Sequence, residues 1–228
     1  MNKVYGIIII SLLLGCKSSH PSEDGSGLFI SLGGKETGIT FQNKLTYKTE
    51  LNIIEYLYYY NGGGVAIGDL NNDGLEDIYF SGNQVPDRLY LNLGNLKFKE
   101  ITLSAGILQD DSWSSGVTIE DINNDGLLDI YVAKVSPVSP KKTSNKLYIN
   151  NGDLTFDEKS TSYGLDFSGF STQSVFFDYD RDGDLDMYLL NHAIHTVRSY
   201  GTSKKRKESD PLSGDRFFEN RLNENEGK

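Results

Sequence analysis

The chain has a single cysteine, Cys16, so no disulfide can form within it. It has only 3 histidines, and its 228 residues contain no Cys/His set with zinc spacing, no nucleophile elbow and no Walker loop. Its longest apolar run, from Val4 to Leu14, is shorter than the roughly twenty residues needed to cross a bilayer. These absences argue against a disulfide scaffold, a zinc finger, a P-loop enzyme and a membrane-spanning helix.

Aspartate, in contrast, is abundant and occurs in a repeated nine-residue pattern, D-x-[ND]-x-D-G-x-x-D. The pattern reads DLNNDGLED at 69–77, DINNDGLLD at 121–129 and DYDRDGDLD at 178–186. Alternate carboxylate or amide side chains, a glycine at the turn and a final carboxylate place oxygen atoms around one small volume. Such a set suits calcium best, because Ca²⁺ takes about six to eight oxygen ligands in flexible geometry.

Each loop offers side-chain oxygens from positions one, three, five and nine and a main-chain carbonyl from position seven. The predicted calcium ligands are Asp69, Asn71, Asp73, Leu75, Asp77, Asp121, Asn123, Asp125, Leu127, Asp129, Asp178, Asp180, Asp182, Asp184 and Asp186. Asp and Asn also favour turns that hold no metal, but three copies with the same ligand positions favour metal. An EF-hand is excluded, because position twelve is Phe80, Val132 or Leu189 instead of glutamate, and strand-like segments flank each loop.

The similarity between the copies extends beyond the loops, whose first residues are 52 and 57 positions apart. Several strands in each such period are typical of propeller blades. The first two units predict strands at 64–68, 77–81, 88–92 and 97–101, and at 116–120, 129–133, 146–150 and 155–159. The third predicts strands at 174–177 and 186–190, an insertion of about two dozen residues and a strand from Asp215, without a fourth. The predicted fold class is all-β, a partial β-propeller with under three four-stranded blades.

The units GVAIGDLNNDGLEDIYF and GVTIEDINNDGLLDIYV resemble FG-GAP/VCBS repeats, the calcium-binding blades of integrin-alpha-type propellers. From Gly38 onward the chain is similar to the start of bacterial VCBS-repeat lipoproteins that often carry an ASPIC/UnbV domain further on. The resemblance implies a seven-bladed propeller, calcium in the loops and an envelope location. Because closure takes roughly four to eight blades, we expect the chain to be the front part of a longer propeller, or the missing blades to come from elsewhere.

The first sixteen residues predict an export signal. Lys3, the apolar run and Leu-Leu-Gly-Cys at 13–16 resemble a bacterial lipoprotein signal that leaves Cys16 as a lipidated N-terminus. An ordinary signal peptide with an incidental cysteine is the alternative. The expected domains are a signal peptide at 1–15, a lipidated Ser- and Gly-rich tether at 16–37 and FG-GAP/VCBS repeats at 38–228, with blades at about 38–104, 105–162 and 163–228, the last incomplete. In the bacterial lipoproteins that this N-terminus resembles, an Asp directly after the lipidated cysteine signals retention at the inner membrane. Lys17 occupies that position here, which favours the outer membrane of a Gram-negative bacterium.

The formal charge of −10 argues against a nucleic-acid partner, and eleven of the 32 acidic residues lie at predicted ligand positions. His192 and His195 form an H-x-x-H pair that suits a transition metal, although a polar loop pair is the more ordinary interpretation. The basic run KKRK at 204–207 fits a solvated loop or a contact with anionic lipid or glycan.

The sequence therefore predicts a calcium-binding, lipid-anchored propeller of the cell envelope that acts as a binding or interaction module for a protein or a glycan, without catalysis. The alternative is the N-terminal part of a carbohydrate-active propeller enzyme, with His192, His195 and the basic run at the border of the substrate. A truncated gene product with no independent function is a third interpretation. The enzyme needs acid and base groups that converge, whereas the binding module needs only an exposed face.

Overall fold

The structure is a computed structural model that describes residues 27–138, 142–192, 211–212 and 214–223. The chain divides into two compact units, 1–32 and 33–228. Residues 27–32 of the first unit contain bends and no helix or strand. The predicted signal peptide, Cys16, the first half of the tether (16–26), His195 and the basic run lie outside the described residues. Within the described ranges, no helix is long and apolar enough to span a bilayer.

The described part of the second unit forms three antiparallel sheets, which confirms the all-β prediction. The first sheet has the order β1 (Val65–Gly68), β2 (Asp77–Phe80), β3 (Arg88–Asn92), β4 (Phe98–Glu100). The second has the order β5 (Ser114–Glu120), β6 (Asp129–Lys134), β7 (Lys146–Asn150), β8 (Phe156–Glu158). The third contains β9 (Ser171–Phe177), β10 (Asp186–Asn191) and β11 (Arg216–Phe218), with β10 in the middle. Each sheet is a meander of consecutive strands, as in a propeller blade.

Several boundaries differ from the prediction. The outer strands β4 and β8 are only three residues long, whereas β5 and β9 begin earlier than predicted. Residues Gly34–Thr37, which were predicted as tether, form the short helix α1, and the Gly33 N–H donates to the Glu36 carboxylate at 2.9 Å. A 3-10 turn at Ser136–Val138 follows β6. Three-residue strands and single turns carry too few residues to show a clear period in the sequence.

The sheets share one register, so residues can be compared between blades. Tyr90 pairs with Glu100 and Asn92 with Phe98 in the first sheet. Tyr148 pairs with Glu158, and Asn150 with Phe156, in the second. In the third sheet Met187 of β10 pairs with Phe218 of β11, at the place where Ile130 pairs with Tyr148. Equivalent residues of the three blades therefore occupy equivalent places.

The hydrophobic core lies between neighbouring blades. Alternate residues of β2 are buried, as expected for a strand that packs on one face, whereas every residue of the central strand β6 is buried. One cluster joins Tyr79 and Leu89 of the first sheet to Ile130 of the second. Another joins Tyr131 and Leu147 of the second sheet to residues of the third. Each fully buried large side chain contributes roughly 1.5–3 kcal/mol.

The inner strands of adjacent blades are also joined by polar contacts. Ser115 Oγ of β5 donates to the Ser171 carbonyl at 2.7 Å, and Thr118 Oγ1 donates to the Ser174 carbonyl at 2.9 Å. Gly116 lies between them, and a Cβ there would be 2.4 Å from the Thr172 carbonyl oxygen. A side chain at this position would therefore separate the two strands.

Candidate metal centres

The three aspartate loops join the first and second strands of their blades, as predicted. In each loop the first aspartate accepts hydrogen bonds from the N–H groups of positions five and six. The donors are Asp73 (3.0 Å) and Gly74 (2.7 Å) to Asp69, Asp125 (3.0 Å) and Gly126 (2.8 Å) to Asp121, and Asp182 (3.2 Å) and Gly183 (3.2 Å) to Asp178. These bonds fold each loop into a closed turn around its first carboxylate.

The turn requires a left-handed backbone at two of its positions. Position six is glycine in all three loops, with φ of 83°, 87° and 95° for Gly74, Gly126 and Gly183. Position four also has positive φ, with values of 56° at Asn72 and 58° at Asn124, and 67° at Arg181 in the third loop. Asn adopts this region at little cost, whereas Arg does so less readily. The third loop therefore bears more backbone strain than the other two.

The ninth aspartate ties each loop to the third strand of its blade. One oxygen of Asp77 accepts the Leu70 N–H at 3.1 Å, and the other accepts the Asn92 N–H at 2.7 Å. The equivalent bonds to Asp129 come from Ile122 (3.1 Å) and Asn150 (2.9 Å), and those to Asp186 come from Tyr179 (3.1 Å) and Asn220 (2.8 Å). All three carboxylates are at most 1% exposed. Among the described residues, each of these buried carboxylates is therefore held by backbone N–H groups alone.

The asparagine at the end of each third strand was not predicted as part of the site. Its side-chain amide donates to the carbonyl of loop position eight, at 2.9 Å from Asn92 to Glu76 and 3.0 Å from Asn150 to Leu128. Asn220 makes the same bond to Leu185 at 3.1 Å. The repeats could have revealed this asparagine, because RLYLN, KLYIN and RFFEN all end in Asn.

The loops carry negative charge that no described basic side chain neutralises. The pKa of the Asp129 carboxyl is raised to about 6, chiefly by burial and then by the carboxylates of Asp125 and Asp121, against two backbone hydrogen bonds that lower it. Burial likewise raises the pKa of Asp77, with additions from Asp73 and Asp69. Throughout the described ranges, no Lys or Arg forms an ion pair with a loop carboxylate. A cation at each loop would offset this repulsion.

The third loop brings its carboxylates closest together. Oxygen atoms of Asp178, Asp180 and Asp186 all lie within 4.8 Å of one another. Asp184, at position seven, is 2% exposed. One of its oxygens accepts the Asn223 N–H at 3.1 Å, and the other has no hydrogen bond to any described residue. All of these potential metal-ligating atoms are oxygens, and the residues present therefore fit a hard cation such as calcium.

In the first two loops, positions three and five contact each other. The Asn71 amide donates to Asp73 at 2.9 Å, and the Asn123 amide donates to Asp125 at 2.8 Å. Asp180 replaces this asparagine in the third loop, so positions three and five are both carboxylates there. Position three of the third loop thus carries a negative charge that the first two loops lack at that position.

Comparison with known proteins agrees with this geometry. A family model described as an FG-GAP-like repeat matches residues 69–132 and 138–189, which contain all three loops. The chain belongs to the FG-GAP-like repeat family. FG-GAP-like repeats often bind Ca²⁺, and here each repeat supplies one loop, one buried ninth carboxylate and one blade.

The chain is also similar to animal proteins. The chain is 30% identical to cartilage acidic protein 1 of Mus musculus over 139 residues, which cover 58% of this chain and 21% of that protein. The identity to the Homo sapiens protein is 31% over 139 residues, which cover 58% of this chain and 20% of that protein. The identity to the Xenopus tropicalis protein is 27% over 159 residues, which cover 68% of this chain and 24% of that protein. The chain thus spans about a fifth to a quarter of the length of these relatives.

The predicted histidine pair is represented in the structure by His192 alone. Its ring lies 4.3 Å from that of Tyr58 and 5.5 Å from that of Phe170, measured between centroids. Burial lowers the His192 pKa to about 4. Neither ring nitrogen has a hydrogen-bond partner in the described part of the chain. No described carboxylate approaches this ring, so the transition-metal interpretation finds no second ligand there.

A buried lysine next to the first blade was missed by the sequence analysis. Lys134 is 2% exposed, and its ammonium donates to Ser112 Oγ at 2.6 Å and Ser114 Oγ at 2.9 Å. It lies 3.4 Å from Asp110 and 3.8 Å from Asp87, which is 4% exposed. Burial raises the pKa of Asp87, and Lys134 opposes that rise. This network joins the first two blades on the side opposite the aspartate loops.

Proposed function

We propose that this chain is part of a calcium-stabilised β-propeller interaction module of the cell envelope that binds a protein or a glycan. The observation that carries the proposal is the loop geometry, repeated three times. In each loop the ninth carboxylate is buried without a basic partner in the part of the chain that the structure describes, and further carboxylates surround it. Such a charge distribution is costly unless a cation accompanies it.

Each residue of the loop has a distinct task in this proposal. The first aspartate shapes the turn, the third and fifth positions offer further side-chain oxygens, and the ninth ties the loop to the third strand. Bound calcium would supply the positive charge that neutralises the carboxylates. Because the ninth aspartate also holds the third strand, occupancy of the loop is coupled to the stability of the blade.

The interaction role is supported by the segment before β1. Large apolar side chains there are exposed to solvent, notably Tyr47 (70%), Ile54 (68%) and Tyr60 (68%). Exposed apolar groups concentrated in one segment are typical of binding surfaces. The segment is anchored by Tyr56 and Tyr59, which pack on Trp113 in a separate buried cluster.

Calorimetric titration with calcium tests the proposal. We expect three sites with dissociation constants on the order of 0.1–1 mM, of which the third is the tightest because Asp180 adds a charge. Asp73→Ala, Asp125→Ala and Asp182→Ala should each remove one site. Asp111→Ala, at an exposed aspartate outside the loops, is the matched control and should leave all three. An unchanged stoichiometry in the loop variants would show that the loops are turns without metal.

A further inference from the structure

The segment before β1 ends in an asparagine that is followed by a glycine. Asn61 and Gly62 are both exposed, and a Cβ on Gly62 would meet no atom within 4 Å apart from its chain neighbours. Gly62 has a φ of 85°, which residues with a side chain rarely adopt. The peptide bond between these two residues is therefore open to water and uncrowded.

This pair of residues can lose ammonia without an enzyme. Asparagine is a thermolabile residue, and a following glycine, which has no side chain, hinders the reaction least. The glycine nitrogen attacks Cγ of the asparagine, a C–N bond forms, and the amide nitrogen leaves as ammonia. Water then opens the five-membered succinimide ring at either carbonyl, which gives aspartate or isoaspartate. One water is consumed and one ammonia is released, with no oxidant or reductant.

The reaction needs a glycine N–H that is free to lose its proton. The Gly152 N–H, which follows Asn151, donates to Asn150 Oδ1 at 2.9 Å. The glycines that follow an aspartate in the three loops also donate their N–H, to the first aspartate of the loop: Gly74, Gly126 and Gly183. The Gly62 N–H, in contrast, has no hydrogen bond to any described residue. Within the described ranges, Asn61 is thus the asparagine best placed to react.

The main chain just after Asn61 is held tightly against the first two blades. The Gly62 carbonyl accepts a hydrogen bond from Asn83 Nδ2 at 3.1 Å, and Asn83 is only 1% exposed. A Cβ on Gly63 would collide with the Ser81 carbonyl oxygen. Isoaspartate carries the main chain through its Cβ, which lengthens the chain by one methylene. This close fit has no space for the shift that a longer main chain requires.

The main chain just before Asn61 belongs to the exposed apolar segment. The Asn61 N–H donates to the Tyr58 carbonyl at 3.1 Å. Tyr58 packs against the buried cluster that contains Tyr56, Tyr59 and Trp113. Asn61 therefore links this segment to β1, and a change in the length of the main chain there alters how the segment lies on the sheets.

We propose that Asn61 is a site of spontaneous deamidation, with water as the reactant, and that its isoaspartate product loosens residues 45–60 from the blades. The reaction adds one negative charge next to the exposed side chain of Tyr60. It runs in one direction, because the ammonia is lost to solvent. The proposal goes beyond the interaction role and stands whether or not the loops bind metal.

Ageing of the purified full chain in heavy-oxygen water tests the reaction, with peptide mapping by mass spectrometry as the measurement. Asn61 should gain a solvent oxygen roughly tenfold faster than Asn151, because the hydrogen bond on the Gly152 N–H must open first. In concentrated urea the two rates should converge, because both asparagines precede a glycine. Asn61→Gln should remove the signal, because a six-membered ring forms more slowly. Equal rates at Asn61 and Asn151 in the folded chain would overturn the proposal.

Anion-exchange chromatography separates the aged product by its added charge, and an isoaspartate-specific methyltransferase identifies isoaspartate in that fraction. Hydrogen exchange at residues 45–60 should be several-fold faster there than in the unaged protein. Freshly purified Asn61→Asp is the matched control, since it has the same charge on a main chain of normal length, and its exchange should equal that of the native chain. If the isoaspartate fraction exchanges no faster than Asn61→Asp, the product does not loosen the segment and that part of the proposal is refuted.

Discussion

Replacement of Lys134 by asparagine should destabilise the protein more than any surface change. The ammonium of Lys134 is the cation closest to the buried Asp87 carboxylate, at 3.8 Å, and both side chains are at most 4% exposed. In the Lys134→Asn variant, Asp87 keeps its hydrogen bonds from the Gly82 N–H (2.8 Å) and the Tyr79 hydroxyl (2.9 Å), but it loses its counter-charge. Removal of one partner of a buried ion pair costs about 3–5 kcal/mol. That is a large part of the roughly 5–15 kcal/mol that stabilises a domain.

The next blade provides a template for rescue. The positions equivalent to Asp87 and Lys134 are Asn145 and Asn191, and the Asn145 amide donates to Tyr131 Oη and to Ser171 Oγ, both at 3.0 Å. Ser171 Oγ in turn donates to Asn191 at 3.0 Å. The double variant Asp87→Asn with Lys134→Asn reproduces this uncharged pair. It should lie within about 1–2 kcal/mol of the native protein, with the remainder due to the shorter side chain.

Urea unfolding measures both variants, with the fluorescence of Trp113, the single tryptophan, as the signal. In Lys134→Asn the pKa of the folded Asp87 rises further above its unfolded value. The penalty should therefore be largest at neutral pH and shrink as pH falls towards about 4, where the unfolded carboxyl also binds its proton. Lys146→Met, at a partly exposed pair, is the control and should cost about 1 kcal/mol or less. The reasoning would be refuted if Lys134→Asn lowered the free energy of unfolding by less than about 1 kcal/mol. It would also be refuted if the loss in the double variant equalled the sum of the losses in Lys134→Asn and Asp87→Asn.

Three further predictions concern metal, pH and anchoring. Removal of calcium with EDTA should lower the melting temperature, because binding to the folded state adds about 2.7 kcal/mol per site at a hundredfold excess over the dissociation constant; an unaffected melting curve would contradict coupling between loop and blade. Because the folded His192 pKa, about 4, lies below its ordinary value of 6.5, the unfolded chain binds more protons between these values, and stability should fall by about 1–2 kcal/mol as pH drops through this window. His192→Phe should remove that slope, measured by thermal unfolding at a series of pH values. Cys16→Ala should move the protein from the membrane fraction to the soluble fraction of a Gram-negative host, as detected by immunoblotting; retention in the membrane would mean that another feature anchors it.

The aspartate loops and the strand order were predictable because the sequence repeats them. Three copies of one pattern fix the positions of Asp69, Asp121 and Asp178, and the segments on either side have strand composition. The sequence predicted the ninth aspartate as a metal ligand but not as a hydrogen-bond acceptor that holds the third strand. An aspartate in the pattern is compatible with either role, so the pattern does not reveal the second one. The role of the strand-end asparagine was hidden for a similar reason, since Asn in such a place usually indicates a turn.

The Lys134 network had no local sequence signal. Lysine is rarely buried, and its carboxylate partners Asp87 and Asp110 are distant in the chain and come from different connections between strands. Only the packing of one blade against the next brings these groups together.

The hydroxyl groups that join β5 to β9 have a consequence for how the molecule opens. Each blade contacts only its neighbours, so cooperativity passes along a line of sheets, as in repeat proteins. The second sheet is covered on both sides and contains the fully buried strand β6. Its amide hydrogens should therefore exchange with solvent later than those of the other two described sheets.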